Sequence, residues 1–193
     1  MEAQPPLGKE GVMKRSATFS DCGKYRYRLD RDWSDMLTDN PRRALWIMLN
    51  PSTADASEDD PTIRRIINFS KREGCSALTV LNLSPRIATD PAELAGLTDD
   101  ELMGDADQYY SKMDDVFDPE LSPLIICAWG ATAYNKKTLK PWANKGYGIL
   151  FSHLSRKASQ KLLCLGHTKD GAPRHPLYVD AEQPLLELAR RTS

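Results

Sequence analysis

The chain of 193 residues has no apolar run near the ~20 residues that cross a bilayer. Its amino end also lacks the apolar stretch of a secretory signal, so a soluble, cytoplasmic protein with no membrane partner is expected. Charge imbalance is missing too. A formal net charge of -1 gives no overall attraction to polyanions, so any nucleic-acid partner needs a local basic surface. Cysteines in close pairs are absent: Cys22, Cys75, Cys127 and Cys164 are scattered, which argues against a zinc cluster or a disulfide framework and for reduced thiols. No repeat or low-complexity linker divides the chain. With 40% hydrophobic and 27% charged residues, residues 15–193 are predicted to form a single domain. They follow a loose arm, residues 1–14, whose Pro5, Pro6, Gly8 and Gly11 carry no periodicity.

What is present is a repeated pattern of apolar strand followed by polar loop. Ala44 to Leu49 is an unbroken apolar run that stops at Asn50-Pro51, where proline has no N–H to continue a ladder. Ala77 to Leu83 runs into Ser84-Pro85-Arg86, and Leu124 to Trp129 runs into Gly130-Ala131-Thr132. Lys161 to Leu165 opens into Gly166 to Gly171 and then Arg174 to Tyr178. If the four strands are parallel, their loops emerge at one carboxyl edge, where open α/β sheets hold ligands.

The intervening segments read as helices. Asp60-Pro61 has the chemistry of a helix start, with Ile63, Ile66, Ile67 and Ser70 on one side and Gly74 as the stop. Asp90-Pro91 repeats that chemistry. Thr98 and Glu101 have capping-box spacing, and the helix they open carries Leu102, Tyr109, Tyr110, Met113, Val116 and Phe117. A Lys-rich helix from Tyr134 to Leu139, an amphipathic stretch from Tyr147 to Lys157 and a final helix from Ala181 to Arg191 complete the pattern. Ahead of all this, Phe19, Tyr25, Tyr27 and Leu29 alternate around Asp21-Cys22-Gly23-Lys24, which predicts an antiparallel hairpin flanking the main sheet. Its other face holds Arg26, Arg28 and Arg31, read as a solvated strand face in preference to a phosphate strip.

Taken together, Ala17 to Tyr27, Ile47 to Asp55, Asp60 to Arg65, Asn82-Leu83, Trp129-Gly130 and Pro173 to Tyr178 resemble the family of unknown function numbered 1643 (DUF1643). More distantly, the order of motifs is similar to that of the uracil-DNA glycosylase superfamily. Those enzymes carry Asp or Asn before Pro in a first loop, a middle strand ending in Trp-Gly, and a late His-Pro loop. Here Asn50-Pro51-Ser52, Trp129-Gly130 and His175-Pro176 fall in that order. The resemblance implies a three-layer α/β/α fold around a short, mainly parallel four-stranded sheet, with the hairpin added at the amino end. Three departures stand out: Met48 occupies a usual glycine, an amide replaces the catalytic acid, and Leu177-Tyr178 follows the late motif in place of small residues.

The resemblance implies that Asn50 orients a water and that His175 donates to the carbonyl of a departing base, with no metal or cofactor. Substrate-binding candidates are Pro51, Ser52, Thr53 and Asp55 beside Asn50, Asn82 and Gly130 at strand ends, and Trp129 and Tyr178 as walls. Lys169 and Arg174 are placed to hold phosphates. The expected partner is a nucleic acid, nucleotide or nucleoside, and the expected reaction is N-glycosidic hydrolysis. Two alternatives stay open: a non-catalytic nucleotide or single-strand binding module, and a metal-dependent phosphoesterase using the acidic loop Asp55 to Asp60. The bland roles stand beside these. Asn50 before proline suits a self-bonded turn, and Trp129 suits the core.

Overall fold

The computed structural model describes residues 12–34, 42–52, 56–116, 124–132, 148 and 161–188. Its centre is a seven-stranded mixed sheet. The strands are β1 (Lys14–Phe19), β2 (Arg26–Asp32), β3 (Arg43–Met48), β4 (Ala77–Asn82), β5 (Leu124–Cys127), β6 (Leu162–Cys164) and β7 (Leu186–Glu187), in the order β1-β2-β4-β3-β5-β6-β7. β3 pairs in parallel with β4 and β5, and β5 with β6, while β1, β2 and β7 join antiparallel. The expected short four-stranded sheet is therefore corrected. The fold is α/β, but more sheet-rich than foreseen, with three α-helices among the described residues.

The expected antiparallel hairpin is present at the edge of the sheet, and it extends the sheet by pairing with β4. Leu29 lies opposite Val80, and burial alternates along β2 because Tyr27, Leu29 and Arg31 face inward. Arg26 and Arg31 are 3% and 0% exposed, and Arg28 holds Asp30 through two hydrogen bonds of 2.7 and 2.9 Å. The arginine face is thus buried or paired, not solvated.

Period-two alternation in β3 fills a separate core on each side of the sheet. Leu45 and Ile47 join Leu81, Ile125, Cys127 and Leu162 on one face. Ala44, Trp46 and Met48 join Leu78, Val80 and Ile126 on the other. Helix α1 (Pro61–Arg72) covers the second face with Ile63, Ile66, Ile67 and Phe69. Burying an isoleucine such as Ile66 contributes about 1.5–3 kcal/mol. The α1 ends follow the sequence chemistry: Asp60 accepts from the Ile63 N–H at 2.8 Å, and Gly74 at φ +73° turns the chain away.

The first face is covered by Leu94 from a 3-10 turn (Pro91–Leu94), Leu102 from α2 (Asp99–Met103), Tyr109 from α3 (Ala106–Asp114) and Val116. One helix was expected over α2 and α3. Both capping-box bonds of Thr98 and Glu101 are present, yet Gly104 at φ +60° ends α2 after five residues. A Cβ at Gly104 would lie 2.9 Å from the Tyr25 ring, so the break lets the hairpin pack against the helices. The predicted final helix is also corrected. Gln183, next before Pro184, is steered away from helical backbone, and Leu186–Glu187 forms an edge strand on β6. Phe117, the segment Tyr134 to Leu139, all of Tyr147 to Lys157 but Gly148, and most of the amino-terminal arm lie outside the described residues. No described helix is long and apolar enough to cross a membrane.

Candidate functional site

The carboxyl ends of β3, β4 and β5, the loops after β6 and the amino end of α1 surround a cavity of about 650 Å³. Parallel pairing is the reason they meet: each apolar strand releases its polar loop at the same edge. Asn50, Ser52, Asn82, Trp129, Gly130, Lys169, Arg174, His175 and Tyr178 all line the cavity. Pro51 is buried beside it, while Thr53 and Asp55 lie outside the described residues.

Asn50 is held by its nitrogen. Nδ2 donates to the Pro51 carbonyl at 2.9 Å and to the Ala88 carbonyl at 2.7 Å, and the Ala88 N–H donates to Pro51 at 3.0 Å. The amide therefore ties the loop after β3 to the segment after β4 and leaves Oδ1 as its remaining polar atom. Asn82, the last residue of β4, is 1% exposed. Neither Nδ2 nor Oδ1 of its side chain has a hydrogen-bond partner, while its backbone carbonyl accepts from the Tyr109 hydroxyl. A buried amide left unmet costs about 1–3 kcal/mol for each polar group.

His175 sits at the start of a 3-10 turn (Pro176–Tyr178), where Nδ1 accepts from the Leu177 N–H at 3.3 Å. In the neutral ring that bond places the proton on Nε2. Burial holds the His175 pKa below its ordinary value, and the nearby Asp60 carboxylate opposes the shift in part. Gly130 makes room for this residue: it has φ +78°, and a Cβ there would lie 3.1 Å from His175 Cβ. Its N–H donates to the Pro173 carbonyl at 2.9 Å. Trp129 is 3% exposed and belongs to the core as well as the wall. Lys169, Arg174 and Tyr178 are exposed.

Arg26 is a lining residue that the sequence does not reveal. It was assigned to the hairpin's outer face, and only the pairing of β2 with β4 brings that strand to the cavity. Asp60, a helix cap and a member of the acidic loop by sequence, also lines the cavity and acts on His175. Two residues of the acidic loop, Asp59 and Asp60, serve the fold. Asp59 pairs with Arg31 at 2.7 Å and Arg15 at 3.3 Å, and Asp60 caps α1. Among the described residues no three His, Cys, Asp or Glu side chains converge in a way that could hold a metal.

A family model described as a protein of unknown function, DUF1643, matches residues 26–177, from β2 to the turn after His175. No curated protein and no solved structure matches the chain, and the likeness to uracil-DNA glycosylases finds no support in these comparisons. Because the match runs over well more than half of its length, the chain belongs to the DUF1643 family.

Proposed function

We propose that the cavity takes a nucleobase or nucleoside and that the protein processes nucleotides or nucleic acid. The observation that carries this reading is Asn82. Its amide carries a donor and an acceptor side by side, both unmet and both closed to water, behind the wall of a cavity. Once the side chain turns into the cavity, the C=O/N–H edge of a heterocyclic base pairs with both at once and removes the cost of leaving them bare.

The reaction that fits the surrounding groups is N-glycosidic hydrolysis. Water forms a bond to the anomeric carbon, the C–N pair leaves with the base, and the water's proton ends on the base. Asn50, fixed through Nδ2, directs Oδ1 at the water. His175, with its proton on Nε2, donates to a base carbonyl that gains negative charge as the bond breaks. Expected results are binding of nucleosides or oligonucleotides by calorimetry, loss of that binding in Asn82→Leu, and base release that disappears in His175→Ala. Absence of binding to any base, nucleoside or oligonucleotide would overturn the reading.

A second reading, a binding module without hydrolysis, is favoured by one feature. The carboxylate lining the cavity among the described residues is Asp60, and it accepts from the Ile63 N–H. Base binding without release would select this reading over hydrolysis.

A further inference from the structure

The cavity mouth carries groups that a free nucleoside does not need. Tyr178 is 79% exposed and Leu177 43%, so both stand open to solvent at the edge of the cleft. Their turn is held firmly. Pro176 is buried, the Tyr178 N–H donates to the His175 carbonyl at 3.0 Å, and Arg65 of α1 donates to the Val179 carbonyl at 2.7 Å. The His175 ring lies 5.6 Å from the Tyr178 ring at a tilt of 46°. A pre-ordered aromatic shelf binds without first losing conformational freedom.

Lys169 and Arg174 stand exposed on the same rim. Arg174 uses Nε to hold the His167 carbonyl at 3.1 Å, which aims its guanidinium without neutralising it. Four other arginines are paired with carboxylates: Arg28 and Arg43 with Asp30, and Arg15 and Arg31 with Asp59. Lys169 and Arg174 set two cations at the mouth, on a chain whose net charge of -1 supplies no wider attraction. That is too narrow for the broad backbone contacts of a duplex and suited to one flexible strand.

We propose that the ligand is a single-stranded nucleic acid, with one base in the cavity, a neighbouring base stacked on Tyr178, and the connecting phosphates against Lys169 and Arg174. This rests on the reading of the cavity as a base site. The test measures affinities for a labelled oligo-dT octamer, its RNA counterpart, a duplex of equal length and the common nucleosides, across a salt series.

Either octamer should bind more tightly than the duplex or any nucleoside. With two phosphates engaged, the slope of log K against log salt should be about -1.4 and approach zero in Lys169→Ala/Arg174→Ala. Tyr178→Ala should weaken octamer binding roughly 5- to 150-fold more than nucleoside binding, and Tyr178→Phe should restore it. Equal affinities for octamer and nucleoside, preference for duplex, or octamer affinity indifferent to Tyr178→Ala would overturn the proposal. Failure of the cavity reading is distinguishable: nucleosides would not bind and Asn82→Leu would change nothing, while Tyr178-dependent octamer binding persisted.

Discussion

The guanidinium of Arg31, with no exposed surface, donates from Nε to Oδ1 of Asp59 at 2.7 Å and from Nη1 to the Asp30 carbonyl at 2.8 Å. It ties β2 to the residue just before the α1 cap, and so holds the amino end of α1 at the cavity. Asp59→Ala strands a buried cation, which costs about 3–5 kcal/mol, whereas exchanging both partners for apolar residues costs much less. Urea unfolding of the two single variants and the double variant checks this. A loss under about 1 kcal/mol for Asp59→Ala would mean that the pair behaves as a surface ion pair.

At position 50 the amide is required by what its nitrogen touches. Both hydrogen bonds of Asn50 run from Nδ2 to carbonyls, those of Pro51 and Ala88. Asn50→Asp would set a carboxylate against two carbonyl oxygens. The acid found in the first motif of glycosylases should therefore destabilise this protein by at least the ~1–3 kcal/mol of unmet polar groups and raise no activity. Thermal melting and base-release assays of Asn50→Asp and Asn50→Ala test this. Greater activity in the aspartate variant would show that the loop can turn the side chain around.

How much of this was readable in advance depended on the range of the contacts involved. The caps at Asp60 and Thr98, the hairpin turn at Gly23 and the strands from Ala44, Ala77, Leu124 and Lys161 are set by neighbours a few residues away, and each is present. The gathering of Asn50, Asn82, Trp129 and His175 around one cavity followed from strand ends alone. Long-range pairing was not readable. Tyr25, Tyr27 and Leu29 announce a strand but not its partner, so the extension of the sheet by β2, and with it Arg26 at the cavity, stayed hidden. The break at Gly104 depends on the distant Tyr25 ring, and the two-residue β7 is too short to carry a period.

Gly104 gives a sharp test of that packing. Ala at φ +60° is strained by itself, and the added Cβ would stand 2.9 Å from the Tyr25 ring, whose hydroxyl donates to the Glu101 carbonyl at 3.1 Å. Gly104→Ala should therefore destabilise by more than the ~1 kcal/mol of the backbone effect alone, and Tyr25→Ala in the same chain should recover part of the loss. Denaturant unfolding of the three variants decides it. Strict additivity would show that ring and glycine are not coupled.

Protonation of His175 opposes the fold in two ways. Burial disfavours the charged ring, and a proton on Nδ1 would face the Leu177 N–H that Nδ1 now accepts. With the folded pKa below the unfolded value near 6.5, the unfolded chain binds more protons between the two values. The stabilising contribution is therefore complete above the unfolded pKa and is lost as pH falls through the folded one. Asp60 works in the other direction, favouring the imidazolium, so Asp60→Asn should depress the His175 midpoint further. Asparagine caps helices as well as aspartate, so α1 should stay intact. Titrating the imidazole C–H signals by NMR, with His175→Gln to assign them, should give a midpoint under 6.5 that moves down in Asp60→Asn. A midpoint above 6.5, or an upward move, would mean that the ring is solvated and that Asp60 does not act on it.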